Sequence, residues 1–159
     1  MAISKIGGTG SDNWELISSV TPTAGATSVN FTGLGVYKKL LVYGKDLVMG
    51  GTPDLRIRLN NDSTSAYAYS LSLDTGNINI VTETGFLMNS GNTTSTHFLA
   101  ISSCDNTGLK IIDYGGGTQT DRNYNSGFYQ GSAIVSQVNL VLSSNSFTAT
   151  GTVSLYGVK

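Results

Sequence analysis

The sequence predicts an all-β fold, a single antiparallel sandwich of about nine or ten strands. Three observations predict it. Short apolar stretches of period two recur at intervals of roughly ten residues, as strands of a sandwich or barrel do. Clusters of Gly, Asn, Asp, Ser and Thr separate them and supply turn chemistry. No window combines a helical period with capping residues.

Residues 1–12 are Gly/Ser/Thr-rich and lack periodicity, which predicts a flexible N-terminal arm ahead of a β-sandwich domain over 13–159. Trp14–Ser18 reads as the first strand, Thr21–Ala26 as a turn, and Thr27–Phe31 as the second strand. Val36–Val48 holds the strongest apolar run. Leu40 and Val42 oppose Leu41 and Tyr43, so a strand covered on both faces is expected there. Leu55–Leu59 alternates strictly, with Leu55, Ile57 and Leu59 inward and both arginines outward. Asn60-Asn61-Asp62-Ser63 is a turn.

Ala66–Leu73 is a further strand with Tyr67 and Tyr69 on one face, whereas residues 74–93 read as a long loop with short strands. His97–Ser102 and Leu109–Tyr114 are strands, and Gly115-Gly116-Gly117 is expected to break the second. Asn123–Gln130, then Ile134–Leu142, then Phe147–Val158 complete the chain.

Charged residues make up 12%, about half the globular norm, and the net charge is −1. No basic stripe is present to neutralise phosphates, so nucleic-acid binding is disfavoured. No apolar run approaches the roughly 20 residues that cross a bilayer as a helix, so no membrane partner is expected. The start, Met1–Lys5, lacks a charged region followed by a long apolar stretch, so synthesis in a cytoplasm is expected. Wide, neutral Gly/Ser/Thr/Asn surfaces suit contact with neighbours, because few charges need desolvating.

Catalytic chemistry finds little support. The single histidine, His97, lies in an apolar strand, with no G-x-S-x-G elbow and no H-E-x-x-H motif elsewhere. The single cysteine, Cys104, reads as a small buried hydrophobe. One His and one Cys do not make a structural zinc site. The acids Asp46, Asp54, Asp62, Asp74, Glu83, Asp105, Asp113 and Asp121 are scattered, and most fall at strand ends, so no pair is marked for glycosidase work. Asp121–Gly127 is oxygen-rich but has Ser126 and Ser132 where a calcium loop of the helix-loop-helix type needs Gly and Glu, so it reads as a polar turn. No Gly-Lys-Ser/Thr follows Gly115–Gly117, so the glycines are expected to permit a bend or a close backbone contact rather than to hold phosphate. The expectation is therefore no enzyme, no cofactor and no metal.

The tyrosines are ambiguous. Tyr67, Tyr69, Tyr124 and Tyr129 could form an exposed aromatic contact patch that stacks on a host glycan or anchors a subunit, or they could be ordinary core and cross-strand packing.

Several segments resemble small structural proteins of tailed bacteriophages. Gly151-Thr152-Val153-Ser154-Leu155-Tyr156-Gly157-Val158 is similar to their final strand, with its Ser-Leu-Tyr-Gly-Ile/Val pattern. Trp14–Ile17, Val29–Leu34, Tyr37–Val42, Leu55–Asp62, Tyr69-Ser70 and Ala133–Val138 fit the same proteins in the same order. The resemblance implies a jelly-roll-like sandwich in the virion, homo-oligomeric and bound to other virion proteins. It implies either a capsid decoration (cement) protein on the major capsid protein or a tail- or fibre-associated domain that binds a receptor glycan, and a single short domain without a fibre's repetitive shaft favours decoration. It carries no catalytic motif.

Overall fold

The computed structural model describes residues 13–73, 76–90, 94–118 and 122–159. The predicted arm over 1–12 lies outside the described residues. The described chain forms twelve strands: β1 (Glu15–Val20), β2 (Ser28–Thr32), β3 (Lys39–Val48), β4 (Asp54–Leu59), β5 (Tyr67–Leu73), β6 (Gly76–Glu83), β7 (Phe86–Ser90), β8 (Thr94–Ser102), β9 (Lys110–Gly117), β10 (Arg122–Tyr129), β11 (Gln137–Leu142) and β12 (Thr152–Val158).

Their pairing is nested and antiparallel throughout. β1 pairs with β12, β2 with β11, β3 with β8 and β4 with β7. These are the rungs of one long hairpin folded back on itself. β12 also pairs with β3, and β11 with β4, which rolls the hairpin into two sheets, β1-β12-β3-β8 and β2-β11-β4-β7. This is a jelly roll, reached from strand order alone. The other strands are two insertions. β5 and β6 lie between β4 and β7 in sequence, and β9 and β10 between β8 and β11. Both extend the first sheet beyond β8, to give the order β1-β12-β3-β8-β9-β10-β5-β6.

Alternation decides what each strand sends into the space between the sheets. Leu55, Ile57 and Leu59 of β4 face Leu40 and Val42 of β3, Leu99 and Ile101 of β8, and Val153 and Leu155 of β12 in one buried cluster. Phe86 of β7 spans the layers, with its ring 4.8 Å from that of Tyr69 and 6.5 Å from that of Tyr114. The buried hydroxyls find partners. Tyr67 accepts a hydrogen bond from the Leu59 N–H at 2.8 Å, and Tyr129 donates to the Asp62 carboxylate at 2.8 Å. Both bonds join the first sheet to the end of β4. Asn60 and Asn61 take positive φ, 55° and 56°, which asparagine tolerates, and so turn the chain after β4.

Four expectations change. The described part of 74–93 is two regular strands, β6 and β7, which raises the strand count to twelve. Their Gly, Asn and Thr content hid them, but β6 is an edge partner of β5, and β7 pairs with β4 and sends Phe86 and Met88 into the core. Gly115–Gly117 does not break β9. The ladder with β8 and β10 continues through it, with the Phe98 and Tyr124 rings against Gly115 and with Tyr114, His97 and the Thr96 carbonyl close to Gly116. β3 is covered on one face only: Leu40 and Val42 are buried, while Tyr43 is 38% exposed on the outer face. From Arg122 onward the oxygen-rich segment is strand β10, paired on both sides, and not a turn.

Candidate functional site

The aromatic patch drawn from sequence does not exist as a surface. Tyr67, Tyr69 and Tyr129 are buried, and only Tyr124 is exposed. Period two explains the split. Tyr67 and Tyr69 share the inner face of β5, Tyr129 is on the inner face of β10, and Tyr124 lies on the outer face of the same strand. Tyr67 and Tyr129 pack against each other inside, with centroids 4.9 Å apart. Burial pushes the Tyr69 hydroxyl up to about 12 and raises those of Tyr67 and Tyr114, so all three stay protonated donors.

The groups with catalytic potential are structurally committed. His97 is on the inner face of β8, where Nδ1 lies 2.8 Å from the Tyr114 hydroxyl and Nε2 lies 2.6 Å from Ser95 Oγ. Burial lowers its pKa from 6.5 to about 4, so the imidazole is neutral at physiological pH. Cys104 is buried, and desolvation raises its thiol to about 12, which removes the thiolate a nucleophile needs. Asp54 and Glu83 do converge, but on Arg56, which bonds both carboxylates. Asp62 receives Tyr129 and Thr64, and Asp113 receives Ser126. Among the described residues no three His, Cys, Asp or Glu side chains gather where they could hold a metal ion.

Two exposed surfaces stand out instead. The first is one end of the jelly roll, where the loops 33–38, 103–109 and 130–136 meet. Backbone bonds lace them together: Cys104 N–H to Lys38 O at 2.9 Å, Val135 N–H to Cys104 O at 2.8 Å, and Leu34 N–H to Ser136 O at 3.1 Å. Asn60 joins in from the turn after β4. Its Oδ1 accepts the Ser136 N–H and its Nδ2 donates to Ile134 O, both at 2.8 Å. Lys110 folds under this end and donates to Gly108 O at 2.6 Å and Gly131 O at 3.2 Å. The loops expose Val36, Leu109 and Ile134, at 63%, 50% and 40%. Their only charged residues are Lys38 and Asp105.

The second surface is a row across the outer face of the large sheet. Register places Tyr43 of β3 opposite Phe98 of β8, Phe98 opposite Gly115 of β9, and Gly115 opposite Tyr124 of β10. Tyr43, Phe98 and Tyr124 line a furrow of about 330 Å³ with Thr96, Thr118 and the glycines. The sequence alone does not mark Tyr43 and Phe98 as site residues. They carry a period-two signal that puts each opposite a buried neighbour, but only register aligns them with Tyr124.

No family model matches the chain, and no curated protein matches it. Among solved structures, galectin LEC-6 of Caenorhabditis elegans is similar over 89% of this chain and 95% of that one, at 11% identity and a TM-score of 0.35. The class rests on the strand order: an antiparallel jelly-roll sandwich with two inserted strand pairs.

Proposed function

We infer that this is a non-enzymatic structural protein of a tailed-phage virion, a capsid decoration protein that docks on the major capsid protein. It is made in the host cytoplasm, resides in the particle and acts as a homo-oligomer. The observation that carries this reading is the apolar loop end with Val36, Leu109 and Ile134 exposed on a hydrogen-bonded frame. A preorganised, nearly uncharged surface loses little side-chain freedom and little charge solvation on docking. The resemblance of the first and last strands to phage structural proteins supports the same reading, as does the low charge of the whole chain.

A second reading, a tail- or fibre-associated receptor-binding domain, draws support from the exposed row Tyr43, Phe98 and Tyr124. The two separate in one experiment. Val36→Asp with Leu109→Asp should abolish incorporation into particles while the thermal melt stays within a few degrees of the parent, because both side chains are exposed. Undiminished incorporation of that double variant would overturn the docking end.

A further inference from the structure

We propose that the furrow over Gly115 is a binding site for a neutral saccharide chain, formed by Tyr43, Phe98 and Tyr124. The site goes beyond the decoration reading and lies apart from the docking end. Tyr124 lies six residues before the docking loop 130–136, roughly 20 Å along β10 at the rise of an extended strand.

A Cβ at position 115 would fall 2.5 Å from Phe98 Cε1, 2.6 Å from Phe98 Cζ and 3.3 Å from Tyr124 Cδ1. The two rings therefore close over the backbone of Gly115 from either side, where a side chain would hold them apart. Even so, Phe98 remains 46% exposed and Tyr124 60% exposed. Aromatic rings of this size are normally withdrawn from water, and this fold has an aromatic core a few ångströms beneath. Tyr43 extends the row on the far side of Phe98. The row crosses β3, β8, β9 and β10, a span of about 14 Å at the spacing of adjacent strands, so it presents a line of rings to a linear ligand.

The chemistry of the lining selects among ligands. None of the described lining residues is charged at neutral pH, since His97 beneath the furrow is buried and neutral. Phosphorylated or nucleic-acid ligands would meet no counter-charge. The furrow lies on a sheet face whose strands are paired on both sides, so it offers no free backbone edge to a peptide strand. What it offers is apolar ring surface bordered by the hydroxyl-bearing residues Tyr43, Thr96, Thr118 and Tyr124. A neutral sugar chain, with C–H faces and hydroxyl edges, matches both parts.

The test is an array of neutral bacterial-surface and plant oligosaccharides probed with the full chain, followed by calorimetric titration of the best binder. Binding is expected for at least one neutral glycan. Phe98→Ala and Tyr124→Ala should each weaken it at least tenfold, and Gly115→Val should do the same by displacing the rings. Phe128→Ala, on the same outer face but outside the furrow, should leave it unchanged. The Val36→Asp, Leu109→Asp variant should also bind normally, so failure of the docking reading and failure of this one are distinguishable. A blank array, equal binding by Phe98→Ala and Tyr124→Ala, or loss of particle incorporation in those two without glycan binding by the parent would overturn the proposal; the last would make the furrow a protein contact.

Discussion

Acid should destabilise this domain through one side chain. His97 is enclosed between the sheets, with Tyr114 and Ser95 on its two ring nitrogens and Gly44 and Gly116 against its edges. Among the described residues no carboxylate bonds it, so none of them compensates an imidazolium there, and burial lowers its pKa from 6.5 to about 4. The unfolded chain takes up a proton as pH falls through the unperturbed value, and the folded chain resists until about pH 4. Stability from this group is therefore complete above pH 6.5 and is lost progressively down to pH 4. The pKa difference is worth about 3 kcal/mol, a large share of the 5–15 kcal/mol typical of a domain. Urea unfolding at pH 7.5 and pH 4.0 measures it, with His97→Gln as the reference that removes the titration and subtracts the carboxylates common to both. The parent should lose about 3 kcal/mol more than the variant between the two pH values. Equal losses in both proteins would refute the assignment of the acid sensitivity to His97.

Other expectations follow from contacts elsewhere. Gly127→Ala places a Cβ 2.2 Å from the Ala68 carbonyl oxygen and should lower stability by about 3 kcal/mol or more, read from the thermal midpoint. Tyr67→Phe strands the buried Leu59 N–H and should be destabilising by about 1–3 kcal/mol in denaturant titration. Cys104 should resist a thiol reagent at pH 8 in the folded protein and react fully in urea, because the native thiol is both buried and protonated.

The fold was legible where alternation is strong and each strand faces one core. β4 shows this best, since Leu55, Ile57 and Leu59 announce both strand and buried face at once. The Asn60-Asn61 turn was equally legible, because few residues accept positive φ. β6 and the Gly115–Gly117 end of β9 were not: β6 shows itself only in its pairing with β5, and three glycines offer no alternation to read although the ladder with β8 and β10 runs through them. The site fared worse for a related reason. Tyr67, Tyr69, Tyr124 and Tyr129 look alike in sequence, and only the inner or outer phase of each strand separates the three core rings from the exposed one. Phe98 was visible as part of an apolar strand, yet its exposure follows from His97 taking the inner position beside it. The apolar end is assembled from three loops distant in sequence, joined by backbone bonds that no local pattern encodes.

The most direct test of the structural role is the copy number and position of this protein in purified particles, by quantitative mass spectrometry and cryo-electron microscopy. The decoration reading predicts copies in a ratio set by the capsid lattice, with Val36, Leu109 and Ile134 turned toward the capsid surface. Absence from the particle, or a handful of copies confined to the tail, would contradict it.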